Sequence, residues 1–147
     1  MPQIDIRLPD PPTPAGSYIP AVRVGNFVYL SGQIPFVEGQ IKYKGKLGKD
    51  VTVDQGYQAA RVCGLNALGA LKNEIGDLHR VRRIVKLSGY VNSTEDFTDH
   101  PKVVNGASDL MSEVFGDIGR HSRIALGANS LPLGSAVEID LIAEISE

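Results

Sequence analysis

Cysteine is nearly absent from this chain: Cys63 is the one thiol in 147 residues. A single thiol cannot close an intramolecular disulfide or build a cysteine-based zinc site, and a reducing compartment is expected. An excess of charge is missing too. Fifteen basic residues against 17 acidic leave a formal net charge of −2, and the densest basic patches, "KYKGK" (42–46) and "HRVRR" (79–83), are short. Such a surface offers no general field to nucleic acid or anionic lipid. No apolar run reaches the length of a membrane span. The N-terminal "MPQIDIRLPDPPTPAGSY" lacks the apolar centre of a signal peptide, so the expected location is the cytoplasm, with no membrane partner. His79, His100 and His121 are scattered without an H-x-x-x-H pair, which reads as three surface histidines and no metal. Neither a G-x-S-x-G nucleophile turn nor a phosphate-binding glycine loop occurs. Cys63 lies mid-helix in "RVCGLNALG", the setting of an inert core thiol.

What is present suits one hydrophobic core. Hydrophobic residues make up 42% and charged residues 22%, values of a globular chain, and the length fits one domain over 1–147. Residues 1–20 hold six prolines, which predict an extended lead-in because proline fixes φ and lacks an N–H. Two β-rich runs flank Gly25-Asn26, a hairpin signal, and the second ends at "SGQIP". A short strand is expected over Gln40–Tyr43. "TVDQ" (52–55) fits a capping box, Thr52 at the N-cap and Gln55 at N3. Tyr57, Ala60, Gly64, Leu68, Leu71 and Ile75 then recur at helical spacing up to a stop at Gly76. Gly64 and Gly69 are expected to permit close packing of this helix on a sheet. "VRRIVKLSGYVN" (81–92) reads as a central strand. A second helix starts at Asp99-His100-Pro101, and two strands, Arg123–Leu126 and Ala136–Glu144, surround "GANSLPLGS". The order β-β-β-α-β-α-β-β predicts an α+β fold, one sheet with two helices on one face. The last strand alternates Val137, Ile139, Leu141 and Ala143 with Glu138, Asp140, Ile142 and Glu144. Its mixed second face suits a subunit interface.

Polar residues near strand ends are the remaining candidates: Tyr18, Ser31, Gly32, Arg123 and Glu138. Arginine's planar fork donates two parallel hydrogen bonds to a carboxylate. A half-buried glutamate can activate water. Composition and spacing alone favour an Arg123–Glu138 ion pair across adjacent strands over a catalytic site.

Three stretches weight the choice. "AGSYIPAVRVGNFVYLSGQIP" (15–35), "VVNGASDLMSEVFG" (103–116) and "HSRIALGANSLPLGSAVEIDLIAEI" (121–145) together resemble the signatures of the Rid (reactive intermediate deaminase) or YjgF family, often labelled endoribonuclease L-PSP. The resemblance implies a chorismate-mutase-like α+β domain, a mainly antiparallel sheet backed by two helices. It implies a homotrimer with clefts between subunits, and hydrolysis of 2-imino acids to 2-oxo acids and ammonia without metal or organic cofactor. Carried over, Arg123 would hold the substrate carboxylate and Glu138 would orient or activate water. Tyr18, Ser31, Gly32, Asn105 and Ala125 would line the cleft. Two positions depart from the family's deaminases: Ala125 stands where they carry cysteine, and His121 where they carry proline. Three readings follow: an imine deaminase, a trimer that binds small carboxylates without turnover, and a nuclease or translation inhibitor. Net charge and the lack of a histidine pair speak against the last.

Overall fold

The computed structural model describes residues 6–14 and 16–147. Of the extended lead-in expected over 1–20, residues 1–5 and Ala15 lie outside the described residues; the rest carries no helix or strand. The hairpin forms where Gly25-Asn26 places it. Strands β1 (Ala21–Val24) and β2 (Phe27–Leu30) pair antiparallel, and Gly25 turns the chain at φ 60°. The next strands are β3 (Phe36–Val37) and β4 (Gln40–Ile41), a separate two-stranded ribbon. The expected strand Gln40–Tyr43 therefore stops short, because Tyr43 takes φ 65°, a left-handed conformation that a strand cannot continue.

Helix α1 (Val53–Ile75) begins with the expected capping box. Gln55 N donates to Thr52 Oγ1 at 3.1 Å, and Thr52 N donates to Gln55 Oε1 at 2.9 Å. It ends where Gly76 adopts φ 88°. Strand β5 (Val81–Asn92) follows, then α2 (His100–Phe115), β6 (Ser122–Ala128) and β7 (Val137–Ile145).

The main sheet has the order β1-β2-β7-β5-β6. All its pairings are antiparallel except β5–β6, whose parallel arrangement uses α2 as the crossover. Both helices cover one face, where Val28, Ile84, Leu87, Ile139 and Leu141 bury their side chains against Ala60, Leu68, Val103 and Leu110. The helices also touch each other closely: a Cβ on Gly106 of α2 would collide with the Tyr57 carbonyl of α1. Gly64 serves this same contact, facing Leu110 and Met111, while Gly69 lies under the Pro9 carbonyl of the lead-in. The expectation that both glycines face the sheet is thus corrected. Residues turned from the helices are left uncovered in this chain. Val22, Val24, Phe27, Tyr29, Ile124 and Leu126 are all exposed, and register places them on the side of the sheet opposite the core.

Candidate active site in two halves

The first half lies where β6 runs beside α2. Asn105 and Ser108 are one helical turn apart and point to the same side. Arg123 Nη1 donates to Asn105 Oδ1 at 2.7 Å and to Ser108 Oγ at 3.2 Å. Both hydrogens of Nη1 are therefore engaged, while among the described residues Nε and Nη2 have no partner. These two atoms form one planar edge with parallel donors, the shape that receives a carboxylate through two hydrogen bonds. Ala125, two residues further along β6, shares the face of Arg123 and is half-buried.

His121 closes the hydrogen-bond chain behind the arginine. Its Nε2 lies 2.9 Å from Ser108 Oγ and its Nδ1 lies 2.6 Å from the Gly119 carbonyl. A carbonyl only accepts, so Nδ1 carries the proton and Nε2 of the neutral ring accepts from Ser108. Burial pushes the imidazole below its usual range. The Gly119 carbonyl opposes that, and the cations Arg123 and Arg83 add to it.

The second half lies at the end of β2. Ser31 Oγ donates to the Ile19 carbonyl at 2.6 Å, and Ser31 N donates to Pro20 O at 2.9 Å, which ties the bend carrying Tyr18 to the strand. Gln33 and Ile139 exchange backbone hydrogen bonds of 2.7 and 3.0 Å. That bridge brings Gly32 against Glu138, so closely that a Cβ on Gly32 would collide with the carboxylate. Tyr18, Pro20, Gly32, Phe36 and Glu138 line a cavity of about 300 Å³, the scale of a small-molecule site. Burial raises the Glu138 carboxyl above its ordinary value, and the like charge of Asp140 raises it further. A larger groove of about 1090 Å³ runs between the lead-in and α1, and none of the candidate residues lines it.

The two halves do not meet within one chain. Arg123 is in register with Leu87 and Glu138 with Tyr90, on β5, which separates β6 from β7. Leu87 is buried under the helices, and Tyr90, three residues on, belongs to the other face. The ion pair across adjacent strands is thereby excluded, since the strands are not neighbours. Sequence reasoning also missed Ser108 and the role of His121. Their spacing was the available signal: Ser108 is one turn beyond Asn105, and His121 is two residues before Arg123. Nor are all three histidines surface residues. His79 is exposed, but His100 and His121 are partly buried. Cys63 is fully buried with Sγ 3.6 Å from the Val137 carbonyl, and burial pushes its thiol well up, so it is not a nucleophile.

A mixed five-stranded sheet backed by two helices, with an arginine edge and a half-buried glutamate on its strands, defines a YjgF-like α+β domain. The family described as "YjgF/chorismate_mutase-like, putative endoribonuclease" matches residues 3–145, and the chain belongs to it. Protein TCP17 of Trypanosoma cruzi is 42% identical over 145 residues, 98% of this chain and 91% of that protein. A RutC family protein of Aquifex aeolicus is 29% identical over 140 residues, covering 95% and 97% of the two chains. Among solved structures, one from Shewanella oneidensis described as "a putative endoribonuclease" superposes with a TM-score of 0.92 at 41% identity, covering 95% of this chain and 93% of that one. Among the described residues no helix is long and apolar enough to cross a membrane.

Proposed function

We propose that this chain is an imine or enamine hydrolase acting on small 2-imino acids in a cleft assembled between subunits of a homotrimer. The observation that carries the reading is the Arg123 guanidinium, tethered through Nη1 with its Nε–Nη2 edge open. That edge holds the substrate carboxylate. Glu138 of a neighbouring subunit takes a proton from water as its oxygen attacks C2 of the imine. The proton passes to nitrogen, and the carbinolamine collapses to a 2-oxo acid and ammonia. A glutamate raised toward neutrality suits both proton transfers. The imine is already electrophilic, so placing water and substrate supplies much of the catalysis.

Uncovered apolar side chains at both edges of the sheet support assembly: Val22, Phe27 and Tyr29 on β1 and β2, and Ile124 and Leu126 on β6, are exposed on the face turned from the helices. The nuclease activity in the names of relatives has no comparable support here. His79 is held by Asp77, His100 by Ser93, and His121 by Ser108 and Gly119, and no two of these histidines share a partner.

The test supplies imines in situ with an amino-acid oxidase and follows release of the 2-oxo acid. Wild-type protein is expected to accelerate it and Arg123→Ala protein is not. No acceleration across a panel of amino acids would overturn the reading, and 2-oxobutyrate binding without turnover would reduce the protein to a carboxylate-binding module.

A further inference from the structure

Arginine reaches its target on a long flexible side chain, so a bidentate site depends on what fixes the guanidinium plane. One bond from Nη1 to Asn105 Oδ1 leaves that plane free to turn about the contact. The second bond, to Ser108 Oγ, sets it. A serine hydroxyl is itself a rotor, and it offers a lone pair to Arg123 only while its hydrogen points elsewhere. His121 Nε2 takes that hydrogen, and the ring is held in turn by Nδ1–H donated to the Gly119 carbonyl. Gly119 is buried at the end of a 3₁₀ turn, packed so tightly on the Met111 carbonyl that a Cβ there would collide. The chain of bonds thus runs from a rigid backbone anchor to the arginine edge.

We propose that Ser108 and His121 are positioning residues: together they brace Arg123 so that its Nε–Nη2 edge faces an incoming carboxylate. The inference rests on the reading of Arg123 as the carboxylate holder. It also gives the histidine at this position a physical task, since the ring acts as acceptor toward α2 and donor toward the backbone at once. Burial of the ring favours the neutral form the brace requires, and the cations that act on it, Arg123 of β6 and Arg83 of β5, add to this against the pull of the Gly119 carbonyl.

The test compares Ser108→Ala, His121→Ala, the double variant and His121→Gln, whose amide can both donate to Gly119 and accept from Ser108. Loss of either brace residue is expected to raise KM for the imine, or Kd for 2-oxobutyrate, about ten-fold while kcat stays within about two-fold. The double variant should be little worse than either single one, because both act through one chain. Gln should recover most of the loss. Unchanged KM, or effects that multiply in the double variant, would overturn the brace. Should wild-type protein neither turn over imines nor bind 2-oxobutyrate, the proposed function fails by itself. The brace is then judged on crystals of Ser108→Ala and His121→Ala protein: a guanidinium that leaves Asn105 supports it, and one that stays in place overturns it.

Discussion

Arg123 and Glu138 leave opposite faces of one sheet, with β5 between the strands that carry them. Neither can complete the other's half-site within its own chain. In the trimer proposed above, each cleft would take its arginine from one copy and its glutamate from the next. Mixing Arg123→Ala and Glu138→Gln chains in equal amounts, by co-expression or by refolding together, is expected to restore about a quarter of wild-type turnover, the share of clefts that draw both intact halves. Each variant alone stays inactive. Complete inactivity of the mixture would place both halves on the same chain.

Gly32 is the floor on which the Glu138 carboxylate rests. Gly32→Ala should fold, because the atoms in the way are the end of a flexible side chain, with Glu138 Cδ 3.0 Å from the new Cβ. With Glu138 as the proposed general base, the displaced carboxylate would no longer reach its water, and kcat is expected to fall by about 10²-fold or more, the loss typical of a general base removed from reach. Steady-state kinetics read beside a thermal melt check this: a small shift in Tm with a large fall in kcat is the expected pair.

Activity should depend on pH through Glu138. In the proposed mechanism the carboxylate is the working form, so kcat/KM is expected to rise with pH along a limb set by its raised pKa, above the ordinary carboxylate value. Asp140→Asn removes the neighbouring like charge and should move that limb to lower pH. Stability runs the other way. The folded state binds this proton more tightly than the unfolded chain, so stability falls as pH rises from the ordinary glutamate value through the raised one. Glu138→Gln protein should therefore gain urea resistance relative to wild type at neutral pH and less at pH 4. The burial of His121 acts in the opposite sense. Its folded pKa is lowered, so below the unfolded histidine value the fold loses stability as pH drops toward the folded one.

Assembly should fail when charge is placed on the uncovered face. Ile124→Lys puts an ammonium beside Ser88 and Leu126 on the side turned from the helices. Light scattering is expected to report monomers or heterogeneous species, with turnover lost although Arg123 and Glu138 are both present. An oligomeric state unchanged from wild type would show that this face is not the contact.

The helix pair is expected to be the most sensitive part of the core. In Gly106→Ala protein the new methyl meets backbone, the Tyr57 carbonyl and Arg61 N at 3.1 Å, so α1 and α2 must separate. Urea unfolding should show a loss of about 1–3 kcal/mol, the range of an overpacked core contact.

Local elements were legible in the chain because their signals are local. Thr52 and Gln55 cap α1 as neighbours three apart, Gly25-Asn26 turns a hairpin, and alternation along Val137–Ile145 separates a core face from a second one. The strand order was not legible. Placing β7 between β2 and β5, with β6 outside, depends on pairings between residues far apart in sequence, such as Phe27 with Glu144. That order turns an apparent Arg123–Glu138 ion pair into two separated half-sites.

By itself, then, the sequence determined the residue types: an arginine at the start of a strand, an asparagine in the second helix, a glutamate in an alternating strand, and a net charge unsuited to nucleic acid. Only the tertiary structure decided which of these share a face. It brought His121 to Ser108 and Gly32 to Glu138, and it kept Arg123 from Glu138. The physical reason is that periodicity along one strand or helix fixes the direction of each side chain relative to its own element. Contacts between elements follow from how their apolar faces close over a common core.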